Sequence, residues 1–201
     1  MGLVIGTKGS GKSTVAKRLT IRHEYVRIPF AKPLKDMLRA AGLTDEQLDG
    51  SLKETPCALL RGRTPRHAMQ TLGTEWGRNT IHPELWTMLW LNAVRRAERT
   101  LVVADDVRFE NEATAIRSLG GILVRVVRGS DVVTDLANSL AATPDVARSL
   151  ASAASPNTHA SETELARIQC DMELFNDVSI DDLHAAVDGL VNLVRGGVSA
   201  S

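Results

Sequence analysis

At 201 residues, with 43% hydrophobic content, the chain is long enough for one full core and a small appended lid. Lys plus Arg balances Asp plus Glu at 24 each, so there is no overall basic excess of the kind that holds a nucleic-acid backbone. An anionic ligand must then be gripped by local arginines and lysines, which favours a small anion over a polymer.

Cys57 and Cys170 stand apart, with no CxxC spacing, so a reducing compartment is expected and a disulfide framework is not. No apolar run approaches the roughly 18–20 residues needed to cross a bilayer. The first residues, Gly2 to Gly6, lack the basic start of a signal peptide. The expectation is a soluble, cytoplasmic protein with no membrane partner and no nucleic-acid polymer. A homodimer is left open.

In chain order, five short apolar, β-branched runs alternate with helical patterns. The runs are Leu3–Ile5, Tyr25–Ile28, Leu101–Ala104, Ile122–Val127 and Met172–Phe175. Such runs read as strands buried on both faces, hence a parallel sheet. Helices are predicted over Ser13–Arg22 and Pro33–Ala41, and Thr44 to Gln47 forms a capping box for a short helix after them. Further helices are predicted over Pro65–Arg78 and Pro83–Arg99. The second of these carries Leu85, Trp86, Leu89, Trp90, Ala93 and Val94 as an apolar stripe. Glu112–Leu119 stops at Gly120-Gly121, and Ile180–Arg195 ends at Gly196-Gly197.

This alternation predicts a single α/β domain over 1–201, a five-stranded parallel sheet flanked by helices, with ligands at the carboxyl ends of the strands. Two stretches interrupt it. Residues 51–81 are rich in Arg, Gly and Thr. Residues 129–160 have no strands of their own and Arg148 as their basic side chain, which suits a lid insertion.

The loop Gly6, Thr7, Lys8, Gly9, Ser10, Gly11, Lys12, Ser13 matches GxxxxGK[ST] in full. Glycines let successive backbone N–H groups curl around phosphate oxygens without Cβ clashes. The following helix turns its positive end on the same anion. Lys12 is placed to reach the β- and γ-phosphates, and the Ser13 hydroxyl to ligate Mg²⁺. A preceding apolar strand and a following helix supply the context this P-loop requires.

After the third apolar run come Asp105 and Asp106, then Arg108 and Glu112. A carboxylate at the tip of a buried strand is where a P-loop protein orders Mg²⁺ and its waters. No Asn-Lys-x-Asp run is present to read guanine, and the short chain suits a small-molecule kinase better than a motor ATPase.

Several blocks together carry a resemblance. Phe30, Lys32 and Lys35 form the first, and Pro65, Arg66, Gln70, Gly73, Glu75, Gly77, Arg78 and Trp86 the second. Asp106, Arg108, Asn111 and Glu112 follow, then His159, Ser161 and Glu162, and finally Asp171 and Asn176. With the P-loop, they resemble the phage-type deoxynucleoside monophosphate kinases, in family order from residue 2 to about 183. The resemblance implies a P-loop, nucleoside monophosphate kinase-like fold with residues 30–98 as the acceptor-binding helical region. It also implies ATP and Mg²⁺, a dNMP acceptor and a dNDP product.

On that resemblance, residues Thr7 to Thr14, with Arg128 and Asn176, hold ATP, and Ser13 and Asp106 face Mg²⁺. Asp106 is favoured over Asp105 because it aligns with the family's Asp-x-Arg-Phe aspartate. Lys32, Arg66, Arg78 and Arg108 fall to the acceptor's phosphate, with Arg108 also at the transferring group. Arg148 is the candidate to close over the γ-phosphate, although the 129–158 stretch looks longer than the usual lid. Gln70, Glu75 and Trp86 are candidates to meet the base or sugar, with core packing an equal reading for Trp86. Glu112 and Glu162 are expected either to bond substrate or to hold the arginines, and Ser161 to Glu164 also reads as a capping box. The histidines show no ligand spacing.

The acceptor phosphate, with a second pKa of about 6, is already mostly a dianion at neutral pH and needs no strong base. Catalysis should rest on positioning and charge neutralisation. Two rivals remain: another kinase of the same fold, such as one for dephospho-coenzyme A or phosphomevalonate, and an ATPase module without an acceptor.

Overall fold

The structure is a computed structural model. It describes residues 2–6, 10–97, 101–128, 168–177 and 179–198, with backbone alone for 2–6 and 196–198. β1 (Gly2–Gly6) leads to α1 (Lys12–Arg22) and β2 (Val26–Arg27). α2 (Lys32–Ala40) opens with Pro33 in its first turn, where the missing N–H has no partner to lose. α3 (Asp45–Leu48) starts on the expected capping box: the N–H of Gln47 donates to Thr44 Oγ1 and the N–H of Thr44 to Gln47 Oε1. Two 3₁₀ turns, Ser51–Glu54 and Ala58–Leu60, lead to α4 (Pro65–Gln70), capped by Thr64, and a π-helix (Thr71–Ile81). α5 (Leu85–Arg96), β3 (Val102–Val103), α6 (Glu110–Ser118), β4 (Ile122–Val127), β5 (Met172–Phe175) and α7 (Ile180–Val198) complete the order. The insertion at 129–160 lies outside the described residues.

Two compact units make up the chain, one of Met1–Arg27 with Thr100–Ser201, the other Ile28–Arg99. In the first, β1 pairs in parallel with β4, from Gly2 opposite Ile122 to Gly6 opposite Val126. β4 pairs in parallel with β5, from Val124 opposite Met172 to Val127 opposite Phe175. β2 and β3 form a separate parallel pair, Val26 opposite Val102 and Arg27 opposite Val103. All five expected strands are present, but not as one five-stranded sheet: hydrogen bonding gives a three-stranded sheet ordered β1-β4-β5 and a two-stranded one. β3 runs alongside β1 without a ladder between them.

The core of this unit joins Val15, Ala16 and Leu19 of α1, Val124 and Val126 of β4, and Leu183, Val187 and Val191 of α7. Fully burying one such side chain contributes roughly 1.5–3 kcal/mol. At the rim, Asp188 of α7 accepts from Arg18 Nε at 3.0 Å and lies 2.7 Å from His23 Nε2. Such partly exposed pairs are screened by solvent, so apolar packing is what chiefly holds α1 and α7 on the sheet.

In the second unit Leu34, Leu38, Leu43, Leu48 and Trp86 form the core. Phe30 stacks on Trp90 at 4.4 Å, and the Trp90 indole N–H donates to the Ile28 carbonyl at 2.8 Å. Two expectations need correction here. The helix predicted over Pro65–Arg78 changes character at Thr71, where the backbone widens to i→i+5 turns. The Trp86 indole N–H takes the Gly73 carbonyl at 2.7 Å, and a side chain entering the ladder is a recognised cause of such a change. Leu89, expected in the apolar stripe, is exposed, while Thr87 is buried. Among the described residues no helix is long and apolar enough to cross a membrane.

Candidate active site

The loop between β1 and α1 turns on Gly11, whose φ of +109° lies in the left-handed region that side chains disfavour. A Cβ there would come within 2.6 Å of Asn176 Nδ2. α1 begins at the next residue with no side-chain cap and no acidic residue in its first turn. A helix end left in that state favours an outside anion. Ser10 is fully buried, its carbonyl accepts from Asn176 Nδ2 at 2.8 Å, and its Oγ has no hydrogen-bond partner among the described residues. Lys12 and Thr14 are half-buried and Ser13 is exposed. A helix end with neither a side-chain cap nor an acid fits phosphate oxygens. Thr7, Lys8 and Gly9 lie outside the described residues.

Beyond β3, the adjacent aspartates have different surroundings. Asp105, with 3% of its side chain exposed, is gripped by both prongs of Arg27, Nε to Oδ1 at 2.8 Å and Nη2 to Oδ2 at 3.0 Å. Asp106 is half-buried and Arg108 is exposed. Glu112, 3% exposed, accepts from the backbone N–H of Arg108 at 2.8 Å and of Phe109 at 3.3 Å. These bonds fix the turn carrying Arg108 at the head of α6. Arg128 follows β4 and is exposed. Asn176 follows β5, its N–H bonded to the Val127 carbonyl at 2.8 Å. Asp171 precedes β5, and its Oδ2 accepts from the Leu123 N–H at 2.6 Å.

The acceptor candidates lie in the second unit. Lys32 bonds Asp36 at 2.6 Å, and Arg66 Nε is paired with Glu54. Arg78 donates to the Pro83 carbonyl at 3.3 Å, Gln70 ends α4 half-buried, and Glu75 is exposed. Of the two readings open for Trp86, the structure has core packing: it is 4% exposed, with its N–H donated to the Gly73 carbonyl. Trp76, 6.4 Å from it and tilted by 50°, is 39% exposed. Arg148 and Glu162 lie outside the described residues.

Sequence reasoning passed over Arg27. A basic residue inside an apolar strand run was the available signal, but its partner is 78 positions away.

No protein-family model matches the chain. A protein of Acanthamoeba polyphaga mimivirus, provisionally named a deoxynucleotide monophosphate kinase, is 32% identical over 204 residues, covering 94% of each chain. The deoxynucleoside-5'-monophosphate kinase of Escherichia phage T5 is 32% identical over 69 residues, 32% of this chain and 28% of that one. Among solved structures, dephospho-CoA kinase from Campylobacter jejuni aligns over 98% of this chain and 97% of its own, at 15% identity and a TM-score of 0.51. That last likeness shows the fold alone, an α/β kinase fold.

Proposed function

The chain belongs to the deoxynucleotide monophosphate kinase family, and on that premise we propose that it transfers the γ-phosphoryl of ATP to a deoxynucleoside monophosphate, giving a dNDP and ADP. The observation that carries the reading is the turn at Ser10-Gly11. A left-handed glycine leads directly into a helix whose N-terminus has neither a side-chain cap nor an acid. Such an end is built for phosphate oxygens.

In this reading the backbone around Gly11 and the ammonium of Lys12 hold the donor's phosphates. The Ser13 hydroxyl and Asp106 carboxylate would hold Mg²⁺, partly through water. When bound, that ion offsets phosphate charge and orients the transferring group. Asp105 is 3% exposed, whereas Asp106 is half-buried and so more accessible to an ion and its waters. Arg108, on the turn that Glu112 fixes, meets the reacting phosphate. Arg66 and Arg78 receive the acceptor's phosphate, with Lys32 adding charge and Gln70 meeting the nucleoside. Planar guanidinium groups match phosphate oxygens in pairs, which a lysine does not. Thr7, Lys8, Gly9, Thr14, Arg128 and Asn176 complete the ATP side, Arg148 closes over the γ-phosphate, and Glu162 bonds substrate or holds the arginines.

Catalysis then rests on aligning two polyanions, since the acceptor dianion is already a nucleophile. The test is ADP release from ATP with each of the four dNMPs, their ribose counterparts and dephospho-coenzyme A. Acceleration by dNMPs supports the reading. Acceleration by dephospho-coenzyme A alone would move the chain to another acceptor.

A further inference from the structure

The hydrogen bond from Asn176 Nδ2 to the Ser10 carbonyl spans 166 positions of sequence and ties the end of β5 to the phosphate turn. Asn176 is itself anchored, because its backbone N–H bonds the Val127 carbonyl at the end of β4. The Gly11 carbonyl accepts from the N–H groups of Thr14 at 3.0 Å and Val15 at 3.1 Å. The Ser10–Gly11 peptide is thus held from β5, and the next peptide, Gly11–Lys12, from the first turn of α1.

A trans peptide is planar, with C=O and N–H pointing in opposite directions. Turning the Ser10 carbonyl towards Asn176 therefore directs the Gly11 N–H away from it. The side-chain amide also fills the space a Cβ at position 11 would enter, and Leu183 of α7 lies 3.5 Å from that point. An aspartate at 176 would set acceptor against acceptor and add negative charge beside an anion site.

We infer that Asn176 is a positioning residue for the donor's phosphates: it orients the Ser10–Gly11 peptide so that the Gly11 N–H faces phosphate oxygens, and it does not read the adenine. This rests on the ATP-binding reading above.

Isothermal titration of the full chain with ADP, inorganic tripolyphosphate and adenosine, each with Mg²⁺, separates the roles. Asn176→Ala should weaken ADP and tripolyphosphate alike by about tenfold, equivalent to about 1.4 kcal/mol, and leave adenosine unchanged. Asn176→Asp, which keeps the shape, should weaken both further, and it carries the comparison if the alanine variant does not fold. Weakened ADP with unaltered tripolyphosphate would overturn the inference in favour of an adenine contact. A lower melting temperature with unaltered tripolyphosphate affinity would overturn it in favour of a purely structural bond. Failure of the unaltered protein to bind tripolyphosphate would sink the ATP reading itself.

Discussion

Arg27 and Asp105 form a two-pronged ion pair across the β2–β3 ladder, with the carboxylate 3% exposed and the guanidinium side chain 47% exposed. A buried carboxylate deprived of its partner bears the full desolvation penalty, while the half-exposed arginine loses little. Arg27→Met should therefore lower stability by about 1–3 kcal/mol, more than Asp105→Asn does. Asp106→Asn should reduce turnover by roughly a hundredfold or more. Denaturant melts and initial rates on the three variants check this, and equal turnover in Asp106→Asn would remove that residue from the Mg²⁺ site.

The α1–α7 contact should be acid-sensitive. Hydrogen bonds from Arg18 and His23 hold the Asp188 carboxyl well below its ordinary value of 3.8. A carboxyl depressed in the folded state adds stability above its unfolded pKa, and that stability is lost as pH falls towards the folded one. Asp188→Asn should thus lower the melting temperature at pH 7, and its difference from the unaltered protein should shrink once pH drops below about 4. Melting curves of both proteins across that range decide it, and a difference independent of pH would show that the carboxyl's charge contributes nothing.

Gly77 packs against the face of Trp86. A Cβ there would lie 2.5–2.7 Å from three ring atoms of an indole buried to 4% exposure. Overpacking typically costs about 1–3 kcal/mol, against a gain of roughly 0.5–1 kcal/mol for Ala over Gly in a helix. Gly77→Ala should therefore destabilise on balance, read as a lower denaturation midpoint with an unchanged slope.

Local pattern reveals much of this fold. β4 and β5 lie at the expected residues because Ile122–Val127 and Met172–Phe175 are compact apolar runs flanked by breakers. The Thr44–Gln47 box is equally legible, since capping chemistry is contained within four residues. Long-range partners stay hidden. Nothing local announces that Trp86 will take the Gly73 carbonyl and that the helix will widen there, or that Arg27 will reach Asp105. Gly196-Gly197 reads as a helix stop, yet α7 runs on to Val198. At the candidate site, Gly11 and the uncapped start of α1 follow from the motif, whereas the strap from Asn176 depends on how β5 and α7 return to the loop.

In the second unit, Arg66 and Arg78 should matter chiefly for the acceptor. Removing one charge-assisted hydrogen bond costs about 1.5–3 kcal/mol. Arg78→Ala and Arg66→Ala should accordingly raise the dNMP KM by roughly ten- to a hundredfold, with the ATP KM little altered. Steady-state kinetics with each substrate varied in turn separates the two, and an unchanged dNMP KM would remove that arginine from the acceptor site.

The most direct measurement follows the label from γ-labelled ATP, with the Lys12→Ala variant beside the unaltered protein. Labelled dNDP is expected from the unaltered chain with at least one dNMP, and none from Lys12→Ala despite an intact fold. Labelled inorganic phosphate at a rate indifferent to every monophosphate, or dNDP still formed by Lys12→Ala, would contradict that expectation.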